Sequence, residues 1–278
     1  MQISLLILIF YTALGLIIGS FLNVCIYRIP LKKSVVFPRS GCPQCGARIA
    51  FYDNIPVLSY IILGGKCRSC GTGISLQYPF VELLTGVSFL VCALKWNFTS
   101  PTFVNSLFLA VIIILIFTDY NHRILPNALT LPGALAGILL SSFQTPELYM
   151  DVLSIRLASL FEYSVARTLL PWIGSITGAV IGGGVLLVVG IGYQKLRHRQ
   201  GLGMGDVKML LMVGAFLGWR LTFLTIFAGS ILGLFAGMYL IIFRKQNLQT
   251  MLPFGVFLGI ASAIALFYGI PFLDWYLK

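Results

Sequence analysis

The sequence predicts an all-α polytopic membrane protein. It should have about eight transmembrane helices, with a small cytoplasmic zinc-ribbon-like domain between the first and the second. Three observations predict this. Of 278 residues, 58% are hydrophobic and only 10% are charged, and the mean hydropathy is +0.96. Soluble domains carry about 25% charged residues. Apolar runs of roughly 17–25 residues, enough to span a bilayer, recur along the chain. The first long polar loop holds two C-x-x-C pairs.

The apolar runs fall near 3–23, 79–97, 101–118, 127–143, 171–194, 207–220, 221–243 and 253–273. The first lacks a basic leader and a small-residue cleavage site, so it reads as a retained anchor. Residues 24–77 form the inserted domain, and 78–278 the remaining membrane body. The other long connection, 144–170, carries Leu157, Leu160, Phe161 and Val165 at helical spacing. It predicts a helix along the outer surface with its charges in water, Asp151 among them.

The net charge is +11, with 19 Lys and Arg. If the spans alternate, fourteen of these fall on one side: Arg28, Lys32, Lys33, Arg39, Arg48, Lys66, Arg68, Arg123, Lys195, Arg197, Arg199, Lys208, Arg244 and Lys245. Basic residues stay in the cytoplasm. The loop at 24–77 is therefore expected inside, against anionic membrane lipid, and no nucleic-acid partner is needed to explain the charge.

Cys42-Pro-Gln-Cys45 and Cys67-Arg-Ser-Cys70 are separated by 21 residues and flanked by glycines. Two such knuckles place four thiolates around one Zn²⁺, and a closed four-cysteine set is structural. Paired disulfides fit a reducing compartment poorly. Cys25 and Cys92 read as packing residues.

The eight acidic residues can be sorted completely. Asp53 is in the inserted domain. Glu147, Asp151, Glu162 and Asp274 are outside. Glu82, Asp119 and Asp206 remain, each at the inner edge of an apolar run, where ionisable groups usually have a job or a partner. Asp119 ends the third run and Asp206 precedes the sixth. Two crossings separate them, so both belong at one depth. In contact, two such carboxylates share a proton, and one activates water while the other hydrogen-bonds a carbonyl. The alternative pairs Asp119 with Arg123 and Asp206 with Lys208. Gly203 and Gly205, in GLGMGDVKMLL (201–211, with Gly201), are expected to let the backbone approach closely and leave the helical path. His122 and His198 read as loop residues.

Several segments carry a family likeness. GSFLNVCIYRIP (19–30), the two cysteine knuckles, QYPFVELLTG (77–86), TDYNHRILPN (118–127), GMGDVKML (203–210) and PFGVFLG (253–259) occur in one order. The chain resembles the bacterial type IV prepilin peptidases, a branch of the GxGD membrane aspartyl proteases. The resemblance implies removal of a basic leader from prepilins or pseudopilins at the cytoplasmic face of the inner membrane. It also implies methylation of the new N-terminal amine with S-adenosylmethionine. By motif match, Asp119 and Asp206 would be the catalytic pair, supported by Gly203, Gly205 and Lys208. The cysteine domain would go with methylation. Glu82, Asn23 and Arg28 are candidates for the substrate or methylation site, with Glu82 also able to read the leader's charge or to pair with Arg28. The alternatives are a peptidase without methylation, an ion-coupled transporter with aspartates in a broken helix, and a zinc-ribbon adaptor.

Overall fold

The computed structural model describes residues 4–197, 203–244 and 252–276, and among these the long regular elements are all α-helices. They are α1 (Leu5–Arg28), α2 (Leu58–Ile62), α3 (Gln77–Trp96), α4 (Ser100–His122), α5 (Asn127–Leu140), α6 (Val152–Ala158), α7 (Tyr163–Arg197), α8 (Met204–Arg244) and α9 (Phe254–Tyr276). His198 and Gly201 lie outside the described residues. The chain forms two compact units, Met1–Ile114 and Leu115–Lys278, so the division falls within α4.

In the first unit, α1 and α3 cross at small residues. A Cβ on Gly15 would lie 2.9 Å from the Gly86 Cα, and one on Gly19 would lie 2.7 Å from the Glu82 Cα. Without a water-driven force between membrane helices, such close backbone approach gives the dispersion contact that holds them together. Tyr11 packs on Phe89 and Ala93 and donates its hydroxyl to Ser106 Oγ at 2.9 Å, so its polar tip is satisfied in an apolar setting. Cys25 and Cys92 are buried, as expected of packing residues. The cysteine insertion, with α2 inside it, lies between α1 and α3.

In the second unit, α8 is 41 residues long, which as a straight helix would measure about 60 Å. It is not straight. A Cβ on Gly182 of α7 would sit 2.7 Å from the Leu210 carbonyl oxygen and 2.8 Å from Thr222 Cγ2. Along one helix those residues would be about 18 Å apart. The chain therefore folds back between them, at Gly218, whose φ of 73° and ψ of 168° suit essentially only glycine. A Cβ there would also meet the Leu148 carbonyl oxygen at 2.6 Å.

The break frees carbonyls in the preceding turn, and specific donors satisfy them. The buried Tyr149 hydroxyl donates to Phe216 O at 3.0 Å and Ala215 O at 3.2 Å, and Ser175 Oγ donates to Ala215 O at 2.6 Å. Arg220, just past the turn, donates to the carbonyls of Glu147 and Met150.

Among the described residues, six helices are long and apolar enough to cross a membrane: α1, α3, α4, α7, α8 and α9. The other two expected runs are helical as well: 207–220 and 221–243 are the two arms of α8 that meet at Gly218, and 127–143 forms a helix of 14 residues closed by a short 3-10 turn. Eight helices of membrane length are not confirmed, because α5 is shorter than a full span. The expected surface helix over 151–168 is also corrected. It is split into α6 and the start of α7, and Asp151 does not face water. Asp151 is buried and caps α6, accepting from Ser154 N at 2.9 Å and Ser154 Oγ at 2.7 Å.

Candidate active site and metal centre

The two cysteine knuckles are built alike. In the first, Cys42 N–H donates to Ala47 O and Gly46 N–H to Cys42 O, both at 2.9 Å. In the second, Cys67 N–H donates to Thr72 O at 2.8 Å and Gly71 N–H to Cys67 O at 2.9 Å. The glycine after each second cysteine turns the chain left-handed, φ 70° at Gly46 and 71° at Gly71. An isolated antiparallel bridge closes each knuckle, Gly41 with Arg48 and Lys66 with Gly73.

The four Sγ atoms lie within 4.8 Å of one another, and Cys42 Sγ is 3.8 Å from Cys70 Sγ. Ligands about 2.3 Å from a tetrahedral zinc stand about 3.8 Å apart, so the donor set fits Zn²⁺ in geometry and softness. The Thr72 hydroxyl, 3.3 Å away, and the Thr72 N–H lower the Cys70 thiol to about 6. Asp53 braces the second knuckle with a bidentate bond to Arg68, at 2.6 and 2.8 Å. Those hydrogen bonds hold the Asp53 carboxyl below the usual carboxylate range.

The aspartates belong to the second unit. Asp119 lies in the last turn of α4 and is 6% exposed. Its Oδ2 accepts the Val256 N–H, in the first turn of α9, at 3.1 Å. That N–H is one of the donors a helix start leaves open. The close approach needs Gly255, because a Cβ there would sit 2.8 Å from Asp119 Oδ2. Asp206 lies in the first turn of α8, half-buried. Among the described residues neither aspartate forms a side-chain ion pair within 4 Å. Lys208 Nζ instead donates to Asn127 Oδ1 at 2.9 Å.

The glycines beside Asp206 act by closeness and not by an unusual backbone. Neither Gly203 nor Gly205 has a left-handed φ, and Gly205 is inside α8. A Cβ on Gly203 would lie 3.3 Å from Asp206 Oδ2, and one on Gly205 would lie 3.0 Å from Leu125 Cβ. The sequence alone does not disclose the part played by Gly255 and Val256, although PFGVFLG carries part of the resemblance. The Pro-Phe-Gly entry to an apolar run was the available signal.

The three remaining candidates are in the first unit. Glu82 is 8% exposed, and its Oε2 accepts the Val57 N–H at 2.7 Å. Val57 has φ 62°, costly for a β-branched residue, and the Glu82 bond helps hold that turn at the start of α2. Asn23 Nδ2 donates to Tyr78 O at 3.0 Å and Gly19 O at 3.3 Å, while its buried Oδ1 has no partner among the described residues. Arg28 does not pair with Glu82. It donates to Ser34 O and Pro38 O, bracing the start of the insertion.

By its fold this is a polytopic helical membrane protein, with two aspartates at the ends of membrane-length helices. Residues 106–238 match the family model described as the type IV leader peptidase family. Residues 13–96 match that of the bacterial peptidase A24 N-terminal domain. The chain belongs to the type IV leader peptidase family.

Its relatives agree. The prepilin leader peptidase/N-methyltransferase of Pseudomonas putida is 31% identical over 280 residues, covering 93% of this chain and 89% of that protein. The protein of the same name from Pseudomonas aeruginosa is 32% identical over 288 residues, covering 95% and 91%. That from Myxococcus xanthus is 36% identical over 234 residues, covering 84% of this chain and 63% of the relative, so the chain spans less than two thirds of that protein. No solved structure matches the chain.

Proposed function

We propose that this protein cleaves the leader peptide of prepilins or pseudopilins with Asp119 and Asp206, and methylates the new N-terminal amine. The observation that carries the reading is the anchoring of Asp119 on the Val256 N–H, with Leu125 packed against both Gly255 and Gly205, the residue before Asp206. Two such carboxylates share a proton. The ionised one takes a proton from water, which attacks the scissile carbonyl. The protonated one hydrogen-bonds that carbonyl and then supplies the proton for the departing amine. Gly203, Gly205 and Gly255 keep the surroundings of the pair narrow, and Lys208 ties α8 to the start of α5.

The charge bias favours an inner-membrane orientation with both aspartates at the cytoplasmic face, where a basic leader would lie. The knuckles would hold one structural Zn²⁺ through Cys42, Cys45, Cys67 and Cys70. S-adenosylmethionine supplies the methyl group when bound. The first unit is the place to seek its site, because the buried Asn23 Oδ1 is an acceptor in need of a donor. Glu82 and Arg28 serve there mainly by bracing the insertion.

The test is incubation of the full-length protein with a prepilin, with and without S-adenosylmethionine, followed by mass spectrometry. Loss of the leader is expected in both cases, and methylation only with the donor. Asp119→Asn or Asp206→Asn should each slow cleavage by about 10²–10⁴-fold while leaving metal content unchanged. Processing at the wild-type rate by either variant would sink the assignment.

A further inference from the structure

The segment between α4 and α5 supplies no carboxylate, yet it reaches both helix starts beside the aspartates. α4 ends at His122, and Arg123 turns left-handed with φ 54°, its N–H donating to Asp119 O at 2.8 Å. Pro126 follows at φ −66°, immediately before α5. A residue before proline is held extended. Ile124 and Leu125 are thus strung between a helix stop and a rigid ring, and the far side is tied down by the bond from Lys208 to Asn127.

On this stiff stretch Leu125 is turned inward, 8% exposed. A Cβ on Gly205 would meet Leu125 Cβ at 3.0 Å, and a Cβ on Gly255 would meet Leu125 Cδ1 at 3.0 Å. The base of the side chain therefore abuts the start of α8 and its tip abuts the start of α9. Gly205 directly precedes Asp206, and Gly255 directly precedes the residue that anchors Asp119. One leucine side chain fills the gap between the two helix starts.

We propose that Leu125 is the spacer that sets the separation of Asp119 and Asp206. It is a positioning residue, and the proposal rests on reading those aspartates as the catalytic pair. Hydrolysis by a shared-proton dyad depends on where the carboxylates stand, and a displacement of about 1 Å can cost about 10²-fold. Substrate binding along the leader should not depend on this spacing.

The experiment compares Leu125→Ala and Leu125→Met with the wild-type full-length protein on one prepilin, with Asp119→Asn run in parallel. Leu125→Ala should lose about 10- to 100-fold in kcat with KM nearly unchanged. Leu125→Met conserves the volume and should recover most of the turnover. Should Leu125→Ala give no folded protein, Leu125→Val takes its place under the same criterion. Full turnover by the trimmed variant, a loss confined to KM, or a Met variant as impaired as the Ala variant would overturn the spacer. The outcomes are separable: an inert Asp119→Asn beside a fully active Leu125→Ala removes the spacer alone, whereas an active Asp119→Asn removes the pair itself.

Discussion

The four-cysteine cluster and the carboxylate site are assembled in opposite ways. Each cysteine knuckle is a turn closed by its own backbone, with a left-handed glycine five residues past the start of its bridge. The carboxylate site has no local frame. Asp119 comes from the end of one helix, its anchoring N–H from the start of another 137 positions away, and Asp206 from the start of a third. The glycines differ accordingly. Gly46 and Gly71 have nothing within 4 Å of a would-be Cβ and are needed for their backbone angles. Gly255 has ordinary angles and is needed because Asp119 and Leu125 press against it.

Three substitutions test this contrast, beginning with the largest expected effect. Cys67→Ser removes one of four ligands and should weaken zinc binding by at least about a hundredfold, measured by chelator competition on the full-length protein. Retained affinity would mean that the four thiols do not act as one site. Gly255→Ala should lower cleavage turnover by about tenfold or more while zinc affinity stays put, because the new methyl must displace Asp119 or Leu125. A normal turnover would show that α9 can shift freely at its start. Gly46→Ala should do the reverse. Its left-handed backbone costs about 1–2 kcal/mol with a Cβ, so zinc affinity should fall by about five- to thirtyfold with cleavage unchanged. Equal damage to both activities by either glycine variant would mean that the two regions are not separable.

The same contrast explains what the sequence discloses. The knuckles were legible because C-x-x-C with adjacent glycine is a complete local instruction. The aspartates were legible for another reason: acids are so few in this chain that counting crossings brought Asp119 and Asp206 to one level. Contact partners were not legible. Nothing near Glu82 signals Val57, and nothing near Asp119 signals Val256. The break at Gly218 was hidden as well, because FLGWR sits in an uninterrupted apolar run and hydropathy does not record a change of direction. Asp151 reads as solvated from sequence because a carboxylate in a polar loop looks so unless its capping partner, Ser154, is recognised.

The turn at Gly218 has a consequence for sidedness. Had α8 continued straight, its far end would have emerged on the face opposite Asp206, and α9 would have begun there. By folding back, the second arm brings the chain home, so that α9 starts level with α4's end and can offer Val256 to Asp119. One residue with a backbone open only to glycine thereby fixes the parity of everything after it. A carboxylate at one end of the molecule owes its hydrogen bond to a reversal at the other.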